Sequence, residues 1–100
     1  MISIETLFKK FREGNALIVD VRDENEFAMA HIPGSLNIPQ SEILNAYKSI
    51  PESEEVFVVS DESQASIGAA LLLKLKRINA QAVSPGGIKN WINSGFPMAE

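Results

Sequence analysis

The sequence predicts a three-layer α/β/α domain around a mostly parallel central sheet, on three observations. Short apolar runs rich in branched residues alternate with amphipathic segments of helical period, the pattern of strands joined by crossover helices. Of the 100 residues, 45% are hydrophobic and 22% charged, which suits one packed core and excludes a disordered tail or a fibre. A chain of this length reaches a radius of gyration of about 13 Å and has no room for a second core, so residues 1–100 are expected to form one domain.

Each element follows from local pattern. Ile4, Leu7, Phe8 and Phe11 recur at i, i+3, i+4 and i+7, which makes Ser3 to Arg12 an amphipathic helix with Ser3 as N-cap and Gly14 as its stop. Ala16-Leu17-Ile18-Val19 reads as a strand buried on both faces, and it ends on Asp20-Val21-Arg22. Asp23 caps a short helix carrying Glu26, Phe27 and Ala30. His31-Ile32-Pro33-Gly34 then turns, and Ser35 to Ile38 is a brief strand stopped by Pro39. A helix starting at Ser41 has Ile43, Leu44 and Tyr47 three and four apart, before Pro51 and the polar Glu52-Ser53-Glu54-Glu55 segment break it. Val56 to Val59 is the second buried strand and Ser60 to Ala65 a small polar loop. From Ser66 a helix runs to about Arg77, with Ile67, Leu71, Leu75 and Ile78 as its apolar stripe and Lys74, Lys76 and Arg77 at its negative end. Ala80 to Val83 is the last strand, and Pro85-Gly86-Gly87 introduces a helix with Ile88 and Trp91 that stops at Gly95.

Composition narrows the function. Nine basic against thirteen acidic side chains give a net charge of −4 and a pI near 5.0, and without a basic block there is nothing to displace counterions from a phosphate backbone, so no nucleic-acid partner is expected. The chain has no cysteine, so disulfides, thiolate nucleophiles, persulfides and thiolate metal sites are chemically impossible in it. The first residues are charged and amphipathic rather than a signal core, and the longest apolar run, Ile67 to Leu73, is too short to span a bilayer. No membrane partner is expected and a cytoplasmic location is the default.

Two strand-to-helix junctions stand out, Asp20-Val21-Arg22 and Ser60-Asp61-Glu62-Ser63-Gln64-Ala65-Ser66. Loops that lead into helices aim unpaired N–H groups at one spot and favour anions there. Every doubly wound fold has such junctions, so on these residues alone a plain capped helix start explains them as well.

The order of motifs adds to this. Leu17-Ile18-Val19-Asp20-Val21-Arg22, Glu26-Phe27, His31-Ile32-Pro33-Gly34-Ser35 and Asn37-Ile38-Pro39 resemble the front half of a rhodanese-like domain. Gly86-Gly87-Ile88 with Trp91, Gly95, Phe96 and Pro97 is similar to its closing segment, so the resemblance covers nearly the whole chain. It implies an α/β/α fold and a Cys-x-x-Gly-x-Arg-Ser loop after the central strand, whose cysteine carries sulfur as a persulfide while backbone amides and the arginine hold the charge. In that register Ser60 stands at the cysteine, Ser63 at the glycine, Ala65 at the arginine, and Ser66 alone matches; Ala30 stands where many members have a glycine before the histidine.

The loop is therefore kept in length and lost in chemistry. A serine hydroxyl has no accessible anion without a neighbouring base and forms no persulfide. Asp61 and Glu62 add carboxylates where the cation is missing, and a like charge at 4 Å costs roughly 4 kcal/mol at an effective dielectric of 20, about three decades of binding. Thiosulfate and phosphate are expected to bind poorly. Loss of the glycine and the arginine together with the cysteine reads as natural decay of the loop rather than the single exchange used to trap an enzyme.

The expected function is a catalytically silent rhodanese-like module that binds an unidentified protein or small molecule at the inherited cleft, without cofactor. The alternative is a serine-dependent hydrolase or phosphatase with Ser60 as nucleophile, His31 as base and Asp20 orienting it; the acidic loop opposes it, because it would repel the oxyanion such chemistry must stabilise. Asp20, Arg22 and Glu26 read as a charge network that, with His31, forms the scaffold of the cleft. Trp91 and Phe96 read as core and lid packing, Gly86 and Gly87 as backbone freedom at a helix start. Asp61 and Glu62 lack the spaced oxygen donors of a hard-cation site, so no metal is predicted.

Overall fold

The computed structural model describes residues 1–53 and 55–100; Glu54 of the predicted polar segment lies outside the described residues. Helix α1 (Ile4–Arg12) starts where Ser3 accepts a 3.1 Å hydrogen bond from the Thr6 amide. Strand β1 (Leu17–Asp20) is followed by α2 (Glu24–Met29), capped by Asp23 through a 2.9 Å bond from the Glu26 amide, and by the two-residue strand β2 (Leu36–Asn37). A short α3 (Ile43–Ala46) comes next, then β3 (Val56–Val59), α4 (Ser63–Leu75), β4 (Ala80–Ala82) and α5 (Ile88–Asn93).

The sheet order is β2-β1-β3-β4 with every pairing parallel. Leu17, Ile18, Val19 and Asp20 pair with Val56, Phe57, Val58 and Val59, so the two central strands are flush. Side chains alternate across the sheet, and two cores result. Val19, Val56 and Val58 pack with Ile43, Ala69, Ala70 and Leu73 beneath α3 and α4. Ile18, Phe57 and Val59 pack with Ile4, Leu7, Ile88 and Trp91 beneath α1 and α5. That is the predicted three-layer arrangement, with a radius of gyration of 12.0 Å. Among the described residues no helix is long and apolar enough to cross a membrane.

Three local expectations are corrected. The helix predicted from Ser66 begins at Ser63, because a side-chain anchor described below ties that residue down. Of its predicted stripe, Ile67 and Ile78 pack against the core but Leu71 and Leu75 are 56% and 78% exposed, and Ser66, Ala69, Ala70 and Leu73 form the buried face. Small side chains let α4 lie close on the sheet, and Leu71 and Leu75 are left outside. The helix predicted from Ser41 is one α-helical turn between 3₁₀ turns at Gln40–Glu42 and Tyr47–Ser49, and only Ile43 of its three apolar positions is fully buried.

Candidate functional site

The C-terminal ends of β1 and β3 lie side by side, so Asp20-Val21-Arg22 and the Ser60–Ser66 loop share one end of the sheet. This is where an open parallel sheet presents its crevice. Asp20 is fully buried, and its carboxylate accepts the Arg22 amide at 2.9 Å, Nε at 3.1 Å and Nη2 at 2.9 Å. Nη2 also donates to the Ala30 carbonyl at 2.7 Å, which fixes the turn ahead of His31. Burial works against the Arg22 charge, but the bonds and field of Asp20, with smaller contributions from Asp61 and Glu26, outweigh it and raise the guanidinium pKa. Asn37 braces the same strand end from β2, donating to the Asp20 and Arg22 carbonyls at 3.1 and 3.0 Å.

Glu26 lies on α2, at the edge of this network. Its carboxyl is pushed up to about 7, first by a hydrogen bond shared with Asp61, then by burial and by the charges of Asp61 and Asp23. The two carboxyls thus perturb each other, which sets α2 beside the loop after β3. Glu26 was expected to complete the Asp20–Arg22 network. It contributes to the field at Arg22, and its own titration is set first by Asp61.

Within the loop, Ser60 is buried at 6% exposure and its carbonyl accepts the Ile88 amide at 2.9 Å. Asp61, Glu62 and Gln64 are exposed, Ser63 and Ala65 half-buried, Ser66 fully buried. The Ser63 hydroxyl accepts from the Gly86 amide at 3.1 Å and from the Ser84 hydroxyl at 3.1 Å, and donates to the Gly86 carbonyl at 3.4 Å. Ser66 turns inward to the Ser63 and Val83 carbonyls at 3.0 and 3.4 Å. The one residue that matches the family motif therefore braces the loop from beneath. No side chain caps the start of α4, and the exposed groups beside it are the Asp61 and Glu62 carboxylates.

Gly87 approaches the loop from α5. A Cβ there would lie 1.9 Å from the Ser60 carbonyl oxygen, while its φ of −175° is open to any residue. Gly87 thus supplies space, and conformational freedom belongs to Gly86 at φ +83°. Ser84 and Asn90 also tie down this end of the sheet and were not singled out in the sequence, since their role arises only from tertiary pairing.

His31 is committed elsewhere. Its Nδ1 lies 2.8 Å from the Phe27 carbonyl, which can only accept, so Nδ1 carries the proton; its ring stacks on Phe27 at 3.9 Å, and its backbone exchanges bonds with Ala99. A nucleophilic triad needs Asp20 on that nitrogen, and Asp20 is bound to Arg22. Trp91 is fully buried, donates to the Pro97 carbonyl at 2.6 Å and meets Phe8 and Phe96 edge-on, so it packs the core as expected. No group of three or more His, Asp or Glu side chains among the described residues could hold a metal ion.

This chain is similar along nearly its full length to proteins of known family. The Bacillus subtilis protein "Putative sulfur carrier protein YrkF" is 29% identical over 91 residues; the match covers 90% of this chain, which spans about half, 49%, of that relative. The crystal structure of a rhodanese-related protein from Thermoplasma volcanium superposes with a TM-score of 0.88 at 28% identity, covering 98% of this chain and 95% of that one. A rhodanese-like domain protein from Staphylococcus aureus is 31% identical with a TM-score of 0.82, covering 90% and 88%. The model of the Rhodanese-like domain matches residues 3–94, and the chain belongs to that family.

Proposed function

We propose that this chain is a rhodanese-related module without sulfurtransferase activity, which binds a partner protein or a small molecule at the cleft between the Asp20–Arg22 strand end and the Ser60–Ser66 loop, with the cytoplasm as its setting. One observation carries the reading: the chain has no cysteine, and Ser60 follows β3 at the position that the resemblance gives to the sulfur-accepting cysteine. A hydroxyl cannot hold sulfur as a persulfide at any pH. The electrostatics support the same conclusion. Ala65 offers no cation, Arg22 is bound to Asp20 at 2.9 Å, and Asp61 and Glu62 are exposed at the loop, so a thiosulfate or phosphate anion meets net repulsion.

The test is turnover of thiosulfate and cyanide to thiocyanate, read beside mass spectrometry of the protein after incubation with thiosulfate. No thiocyanate above the protein-free rate and no sulfur adduct are expected; either one would end the reading. Ser60→Cys restores the nucleophile without the cation, and adding Ala65→Arg should raise sulfur loading further, by up to about three decades for one unit charge near the bound anion. Equal loading of both variants would remove the electrostatic part of the account.

A further inference from the structure

Helix α4 carries exposed leucines on one face that no described residue covers. Leu71 and Leu75 are 56% and 78% exposed, and Leu44 on neighbouring α3 is 54% exposed. At 100° per residue, Gln64, Gly68, Leu71 and Leu75 fall on one side of the helix, opposite the buried Ser66, Ala69, Ala70 and Leu73. The exposed charges beside this face are sorted by sign. Asp61 and Glu62 stand at its N-terminal end and Lys74, Lys76 and Arg77 at its C-terminal end, about 20 Å apart along thirteen residues.

A surface that is acidic at one end, basic at the other and apolar between is complementary to itself when one copy is reversed. We infer that the α4 face pairs two copies of this chain antiparallel about a two-fold axis between Gly68 and Leu71. In that register each Leu71 lies across the partner copy's Gly68, which is half-buried beside the Gln40 side chain, and each acidic end meets a basic end. A parallel arrangement would set like charges together. The interface is isologous, as a two-fold requires. The footprint of α4 with flanking α3 is of order 400 Å² per copy, about half the standard size, so the dimer is weak and reversible. The inference does not depend on whether the cleft is catalytically silent.

Sedimentation equilibrium of the full chain from about 5 to 500 µM tests it over the range where an interface this small populates. A monomer–dimer equilibrium is expected, weakened at least about tenfold by Leu71→Asp or Leu75→Asp. Both positions are exposed, and unchanged far-ultraviolet circular dichroism confirms that the variants fold. Met29→Asp, at a 77% exposed residue on the separate hollow near Arg22 and Ile92, should leave the equilibrium unchanged. Glu62→Lys and Arg77→Glu should each weaken pairing, and the double variant should restore it. A single monomeric species over the whole range overturns the inference, as does a dimer that survives both leucine variants or is broken by Met29→Asp. A double charge variant no better than either single one overturns the antiparallel register.

Discussion

Gly87→Ala is the sharpest test of how the two halves of the site are joined. The new Cβ would stand 1.9 Å from the Ser60 carbonyl oxygen and 3.1 Å from that of Asp61, whereas carbon and oxygen settle at about 3.3–3.6 Å. The start of α5 must therefore retreat by about 1.5 Å, which breaks the 2.9 Å bond from the Ile88 amide to Ser60. Leaving that buried carbonyl unpaired costs about 1–3 kcal/mol, and the forced backbone shift about 1–3 kcal/mol more. The reduced freedom of the unfolded chain returns only about 0.4–1 kcal/mol. A net loss of about 1–6 kcal/mol remains, which for a domain of this size lowers the melting temperature by roughly 5–30 °C. Urea titration with circular dichroism reads it directly. Gly14→Ala is the control, since Gly14 has φ +76° with nothing near its Cβ position and should lose only the left-handed cost of about 1–2 kcal/mol. Should Gly87→Ala unfold at the same urea concentration as wild type, the close approach of α5 to Ser60 is not what holds the loop.

Arg22→Ala strands the fully buried Asp20 carboxylate and should cost about 3–5 kcal/mol, while Asp20→Asn with Arg22→Met, which removes both charges, should recover much of it; equal urea midpoints for the single and double variants would show that the pair is not electrostatically coupled. Glu26 has a folded pKa of about 7 against an ordinary 4.5, so its proton favours the folded state below pH 4.5 and that contribution is lost as the pH rises through 7. Urea midpoints should therefore fall between pH 5 and pH 8 more steeply for wild type than for Glu26→Gln, and parallel slopes would mean that Asp61 does not raise the Glu26 carboxyl.

Strand positions and sheet composition were legible because branched apolar runs have few other uses, and Ser3 and Asp23 were legible as caps because a short oxygen-bearing side chain ahead of an amphipathic run satisfies the first free amides. The inward face of α4 was not. Three consecutive leucines follow Ala70, and size alone does not say which faces the sheet: Leu73 lies buried beside Ala69 and Ala70, while Leu71 and Leu75 remain outside. For the site, the resemblance supplied the positions Ser60, Ser63 and Ala65, and residue chemistry supplied what they cannot do. Their partners came only with tertiary structure, since nothing local brings Glu26 to Asp61 or Gly87 to Ser60.

Ser63 ties the loop after β3 to the segment before α5. At the position where the resemblance places a glycine, its hydroxyl receives the Gly86 amide and the Ser84 hydroxyl and donates to the Gly86 carbonyl. A glycine could supply none of these bonds. With Ser66 holding the Ser63 and Val83 carbonyls and Gly87 leaving room for Ser60, the loop is fastened to the segment before α5 at several points. Anion binding calls for amides and a cation left free to meet a ligand. Here Ala65 supplies no cation, and the exposed charged side chains of the loop are Asp61 and Glu62. On the proposed reading, the fastened loop presents an acidic rim, which suits a basic or neutral partner better than an oxyanion.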